Sequence, residues 1–150
     1  MVTRRDWLKL AAGTLAIGLP GALGALEAPP TIAVWKSPSC GCCKNWITHM
    51  EQNGFRVTVH DVENLEPIKR QHGVTAALAS CHTGVINGYV IEGHVPADLV
   101  QRLLKERPRI AGLAVPGMPQ GSPGMETGRK DPYDVIAWDA RGRTSVFASR

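Results

Sequence analysis

Three of the chain's four cysteines are packed into Cys40-Gly41-Cys42-Cys43, and the fourth stands beside a histidine in Ser80-Cys81-His82. Thiols this close together support three chemistries. The first is structural disulfide formation. Cys40 and Cys43 could close a Cys-x-x-Cys bridge, whereas Cys40 and Cys42 are poorly placed to pair and adjacent Cys42 and Cys43 pair only with strain. A cysteine of the motif left outside that bridge could pair with Cys81. The second is thiol exchange. A Cys-x-x-Cys at a helix N-terminus meets unpaired amides and the positive end of the helix dipole, and both favour thiolate over thiol. Cys40 would then be the exposed nucleophile and Cys43 the inward-facing resolving thiol, with Cys42 a competing exchange partner. The third is ligation of a soft metal, for which thiols must lose their protons. Three sulfurs within four residues can converge on one ion or bridge several, and Cys81 would complete a four-sulfur set.

Thiolate and thioether donors favour Cu(I), zinc or an iron–sulfur cluster. The spacing lacks the paired Cys-x-x-Cys units of a zinc ribbon and the spaced cysteine runs of ferredoxins. The methionines lean the choice toward copper. Met50 falls on the apolar face of an expected helix. Met118 and Met125 lie in a short repeat, Pro116-Gly117-Met118 and Pro123-Gly124-Met125, with no helical or strand period. Their thioethers could close over Cu(I), or they could pack the loop down as gap fillers. Among the five histidines, His82 adjoins Cys81 and His94 lies in Gly93-His94-Val95-Pro96. Each is a candidate ligand or a group supporting one. His49, His60 and His72 read as exposed.

These residues need elements to hold them. Thr31–Trp35 is a short β-rich run and reads as a strand. Lys36–Gly41 is a turn. A helix should follow over about Cys42–Gln52, with Cys43, Trp46, Ile47 and Met50 on one face and Asn53-Gly54 as its stop. Phe55–Val59 alternates as a second strand, and Leu65–His72 suggests a short helix. Gly84–Glu92 reads as two strands about Asn87-Gly88, a strong hairpin signal. Pro96–Glu106 reads as a third helix, with Leu99, Val100, Leu103 and Leu104 inward. A Gly/Pro-rich loop spans Gly112–Gly128, and Tyr133–Trp138 with Thr144–Phe147 form a C-terminal β-hairpin. The order strand-helix-strand-helix-hairpin-helix, with cysteines at the first strand-to-helix junction, resembles a thioredoxin-like α/β domain. Ala79-Ser80-Cys81 stands where thioredoxins carry a Pro before the third strand. In that layout the loop bearing Cys81 faces the first helix's N-terminus.

The first 26 residues read as an address. Thr3-Arg4-Arg5-Asp6-Trp7-Leu8-Lys9 precedes an apolar stretch loosened by glycines and Pro20, which is the pattern of a twin-arginine export signal. The stretch is short for a membrane span, so the membrane would be met only through this segment if it stayed uncleaved. Cleavage is expected between Gly24 and Ala28. Residues 27–150 would then form one metal-binding domain in the periplasm, an oxidising compartment. Half of the formal net charge of +4 lies in the first 26 residues, and no Lys/Arg-rich run remains beyond them. With aromatics at only 5%, neither an electrostatic footprint nor a base-stacking surface supports a nucleic-acid partner. A hydrophobic share of 43% fits a folded domain.

Taken together, Cys40-Gly-Cys-Cys43, Ser80-Cys-His-Thr-Gly84, Gly88-Tyr-Val-Ile-Glu-Gly-His94-Val-Pro96 and Gly112–Glu126 resemble the CopG-type periplasmic copper-binding family, long catalogued as a domain of unknown function. The resemblance spans about Thr31 to Phe147. It implies a thioredoxin-like fold, a role in copper resistance and a multinuclear Cu(I) site bridged by cysteines. Cys40, Cys42, Cys43 and Cys81 match the family's cysteine positions, and His82, His94, Met118 and Met125 match further motif positions. The expected task is sequestration of copper, its transfer to another periplasmic copper protein, or a change in its oxidation state. Two readings of other classes compete: a periplasmic thiol–disulfide oxidoreductase using Cys40 and Cys43, and a structural zinc domain acting as a binding module.

Overall fold

β-Branched residues in Thr31–Lys36 favour extended backbone, and in the computed structural model, which describes residues 28–150, they form β1. Ile32 and Val34 are fully buried. Ser37-Pro38-Ser39 turns the chain, closed by the Cys40 N–H on the Ser37 carbonyl (3.1 Å), and α1 runs over Gly41–Gln52. Its buried residues are Cys43, Trp46, Ile47 and Met50, the apolar stripe that a spacing of three and four residues places on one face. The expected export signal lies outside the described residues. Among the described residues, no helix is long and apolar enough to cross a membrane.

β2 (Arg56–Asp61) runs parallel to β1. Its alternation does not become burial. Among the described residues it is an edge strand with only β1 beside it, and every residue but the half-buried Val57 is exposed; the buried anchor is Phe55, just before it. α2 is shorter than expected, Glu66–Gln71, and buries Lys69. β3 (His82–Ile86) and β4 (Tyr89–Glu92) form the expected hairpin. Asn87 and Gly88 both take positive φ, 47° and 83°, as the two-residue turn matching strand twist requires. α3 (Ala97–Glu106) buries Leu99, Val100 and Leu103 and ends at Arg107 in the left-handed region.

The Gly/Pro-rich stretch departs from expectation at its start. Gly112–Ala114 is a strand, β5, parallel to β4 and antiparallel to β6. Three residues are too few to show a period, and all three are buried, so no alternation marks them. β5 joins the C-terminal hairpin, β6 (Asp134–Trp138) and β7 (Thr144–Ser149), to the main sheet. Among the described residues the sheet has seven strands in the order β2-β1-β3-β4-β5-β6-β7. The parallel pairs β1/β2 and β4/β5 are bridged by α1 and α3 respectively.

The sheet has a core on each face. On one, Ile32, Val34, Ile91 and Leu113 pack with Trp46 and Met50 of α1 and Leu99, Val100 and Leu103 of α3. On the other, Val90, Ala114 and Trp138 pack with Val74 and Leu78, from the segment after α2. Successive strand residues point to opposite faces. In β3 this sends His82 against the Trp46 ring (centroids 4.3 Å apart), while Thr83 bonds Glu92 and Lys69.

Leu103→Ala should cost about 2–5 kcal/mol, since it removes transfer energy and leaves a cavity. The exposed Lys105→Ala should stay within about 0.5 kcal/mol of the parent. Urea denaturation of both variants checks the assignment of α3's inner face; similar losses in the two would contradict it.

Candidate metal centre

β1 and β3 pair antiparallel with Lys36 opposite His82. The end of β1 and the start of β3 therefore lie side by side. α1 begins five residues after Lys36, and Cys81 immediately precedes β3. The four cysteine sulfurs meet there, all within 4.8 Å of one another. A second group within the same limit is Cys81, His82 and His94. Cys81 belongs to both.

The sulfurs are not in one state. Cys40 and Cys43 are joined as a disulfide, and Cys42 and Cys81 are free thiols. A four-thiolate set therefore requires reduction of the Cys40–Cys43 bridge, which takes two electrons and releases two thiolates, together with loss of the Cys42 and Cys81 thiol protons. Cys42 Sγ lies 3.6 Å from Cys40 Sγ and 3.9 Å from Cys81 Sγ. Cys43 is fully buried, as its place on the inner face of α1 predicts, with its sulfur 3.7 Å from the Cys81 carbonyl oxygen. The N-terminus of α1 has neither a side-chain cap nor an acidic residue in its first turn. Its positive end faces the sulfurs without competition.

His82 and His94 are both fully buried. His94 Nδ1 lies 2.7 Å from the Pro123 carbonyl, which can only accept, so Nδ1 carries the proton. That leaves the Nε2 lone pair aimed at Cys81 Sγ, 3.0 Å away. His82 Nδ1 is 3.4 Å from the same sulfur. Among the described residues His82 Nε2 is buried with no hydrogen-bond partner, an uncommon state for a buried polar atom. Burial pushes the Cys81 thiol up to about 12, with Cys42 adding to the shift. It therefore keeps its proton at neutral pH and donates toward His94. Burial also holds His82 well below its ordinary value, reinforced by His94 and Lys69, and lowers His94. Both rings are thus neutral, the form that ligates a metal.

The Pro-Gly-Met stretch closes over this site. Gly117 N–H bonds the Ala79 carbonyl (3.1 Å), and the Ser80 hydroxyl donates to the Gly117 carbonyl. Met118 is 50% exposed, with its sulfur 3.9 Å from Cys42 Sγ. Gly124 sits directly on α1: a Cβ there would lie 2.8 Å from both the Cys42 oxygen and the Trp46 nitrogen. Only glycine permits that approach, and its φ of 89° demands glycine as well. Met125 is half-buried in the same loop, where its backbone closes turns with Gly121 and Ser122 (2.8 Å each). The structure thus gathers the four cysteines, both candidate histidines and the Met118 thioether. For Met125 it fixes the backbone.

His49 differs from expectation. It is half-buried, and its Nε2 accepts the Ala97 N–H (3.1 Å) at the start of α3. His72 is also half-buried, beside Trp35, while His60 is exposed and stacks on Trp35 (centroids 4.9 Å). A buried group that the pattern did not signal lies on the other side of the Cys81 segment: Lys69, Thr83 and Glu92. Glu92 does directly follow an apolar run, Tyr89-Val90-Ile91, and that is its one sequence trace.

Soft sulfurs with two neutral imidazoles suit a soft or borderline metal, and the unpartnered His82 Nε2 is consistent with a site that ligation would complete. The family model described as a protein of unknown function, DUF411, matches residues 78–125. A comparison with curated proteins returns no match. Two solved structures, named copper resistance protein CopG Form 2 and Form 1, each superpose with a TM-score of 0.78 at 49% identity. Each comparison covers 81% of this chain and 98% of the other.

Because folding lowers the pKa values of His49, His82 and His94 below 6.5, the unfolded chain takes up protons at mildly acidic pH that the folded chain refuses. Their contribution to stability is complete above the unfolded value and is lost as pH falls through the folded values. The denaturation midpoint of the metal-free protein should accordingly be lower at about pH 5 than at about pH 7.5. Equal midpoints would contradict the neutral, buried rings.

Proposed function

The chain belongs to the copper resistance protein CopG family, and from that premise we propose that it is an exported protein holding copper as Cu(I), several ions together, on Cys40, Cys42, Cys43 and Cys81. The observation that carries this reading is the meeting of two donor groups at one shared sulfur, Cys81. A bridging thiolate can serve two ions at once, so a sulfur common to both groups suits a multinuclear site. Thiolates and thioethers favour Cu(I) over harder ions. His82, His94 and Met118 stand where further ligands would complete the coordination, and Met125 helps form the loop that covers it. The protein's task would be to sequester copper, hand it to another periplasmic copper protein or change its oxidation state.

We read the domain as thioredoxin-like. The order β2-β1-β3-β4, with the cysteine motif at the β1–α1 junction, supports this. Export rests on the sequence of residues 1–26, with Arg4 and Arg5 at the head of the apolar stretch. A second reading, thiol–disulfide exchange, is favoured by one observation. Cys40 and Cys43 form a disulfide at a helix N-terminus, with one sulfur buried and the other partly accessible.

Cys81→Ser separates the two readings. An exchange cycle needs only Cys40 and Cys43, whereas a bridged copper site needs Cys81, and serine oxygen is a poor substitute toward Cu(I). The variant is expected to fold and to bind fewer copper ions under anaerobic, chelator-buffered conditions, and parent and variant alike are expected to show negligible activity in an insulin-reduction assay. Full loading together with efficient insulin reduction would overturn the copper reading. For export, replacing Arg4 and Arg5 with Lys should hold the precursor in the cytoplasm. Normal periplasmic accumulation of that double variant, measured by fractionation, would point to the general secretory route.

A further inference from the structure

α2 buries a single residue, and it is a lysine, Lys69. Its ammonium is ion-paired with Glu92 at the end of β4, where Glu92 is 0% and Lys69 6% exposed. An ion pair this deep is a weak source of stability, because desolvation of both charges offsets their attraction. Apolar replacements of such pairs are often neutral or better. Its hydrogen bonds show where its effect falls. Glu92 Oε1 accepts the backbone N–H of Ser80 (2.7 Å). Glu92 Oε2 accepts the Thr83 hydroxyl (2.7 Å), whose oxygen accepts in turn from Lys69 Nζ (3.2 Å). The carboxylate therefore holds the chain at Ser80 and again at Thr83, and the two residues between are Cys81 and His82.

The geometry has a second part. Strand alternation places the side chains of His82 and Thr83 on opposite faces. Thr83 is pulled toward Glu92 on one face while His82 lies against Trp46 on the other. The Gly93 N–H bonds the His82 carbonyl (3.0 Å). Any side chain on Gly93 would collide with Ser80 and approach the Val115 oxygen to 2.8 Å. The segment is thus fixed at Ser80, His82 and Thr83 by Glu92 and the Gly93 that follows it.

We propose that the buried Lys69–Glu92 pair is a positioning device for Cys81 and His82, gripping their segment at Ser80 and Thr83 so that the Cys81 sulfur stays where the α1 cysteines and His94 meet it. The copper reading supplies what that sulfur does there, and the grip itself is a property of the metal-free chain. Lys69 neutralises the carboxylate and donates to Thr83, and Glu92 makes the contacts at both Ser80 and Thr83.

The test uses the whole domain, reduced and metal-free. Each free cysteine's alkylation by iodoacetamide is followed by mass spectrometry, and then the copper–thiolate absorption of the Cu(I)-loaded protein is recorded. In Lys69→Met/Glu92→Leu the charges leave together and both grips are lost. Cys81 should be alkylated roughly three- to tenfold faster relative to Cys42, the factor one or two lost buried hydrogen bonds would give. Its copper–thiolate spectrum should change while the far-ultraviolet dichroism does not. Lys69→Met/Glu92→Gln should restore the parent behaviour, because the amide oxygen still accepts from Ser80 and the amide N–H can meet Thr83. If the leucine variant does not fold, Thr83→Val releases one end only and should give a smaller rise of the same sign. The inference is overturned if Cys81 keeps its parent reactivity in the folded variants, if Cys42 accelerates equally, or if glutamine fails to rescue. A parent protein that takes up no Cu(I) would sink the copper reading instead, and the alkylation contrast would still decide the positioning role.

Discussion

The antiparallel pairing of β1 with β3 is the constraint on which the site depends. With Lys36 opposite His82, the strand that leads into α1 ends where the strand that follows Cys81 begins. Two segments some forty residues apart in sequence are thereby brought within sulfur-to-sulfur contact. A slip of one residue would turn His82 away from Trp46 and Thr83 away from Glu92, since strand faces alternate. Burial on both faces of β3 opposes that slip: His82, Thr83, Gly84 and Ile86 are all buried.

Around this register the remaining elements act as successive layers of support. α1 brings its uncapped N-terminus and three cysteines from one side. The Pro-Gly-Met loop comes down from the other, held by Gly124 against the helix backbone and by the Pro123 carbonyl on His94. That carbonyl does more than tie the loop down. By accepting the Nδ1–H hydrogen bond it sets the tautomer of His94, so closure of the loop and readiness of Nε2 are one event.

Much of this was legible in the sequence, for physical reasons. α1 buries the four residues whose three- and four-residue spacing marked its inner face. Asn87-Gly88 made the hairpin because few other dipeptides accept positive φ twice. Cys40 through Cys43 and Cys81 converge because their places at a helix start and a strand start follow from the element order. What stayed hidden has no local signature. β5 is three buried residues with no period. β2 looked half-buried by alternation, but its exposure follows from having one neighbour only. The lysine that α2 buries reads in sequence as a surface residue, since its partner Glu92 lies 23 positions away. The contact of His49 with α3 is likewise set by tertiary packing.

Among the described residues the seven-stranded sheet ends at β2 on one side and β7 on the other, and each edge carries an exposed valine, Val59 and Val146. Unpaired strand edges are templates for a neighbouring chain's strand, and fibrous self-association begins at them. Here each edge is spoiled differently. β2 displays Arg56, His60 and Asp61 to solvent, so an added strand would have to strip water from polar and charged side chains. The β6–β7 pairing carries a register shift at Val135/Ile136, and an irregularity of this kind twists an edge away from the straight geometry that stacking requires. Neither border of the sheet therefore offers a second copy a flat, apolar rim.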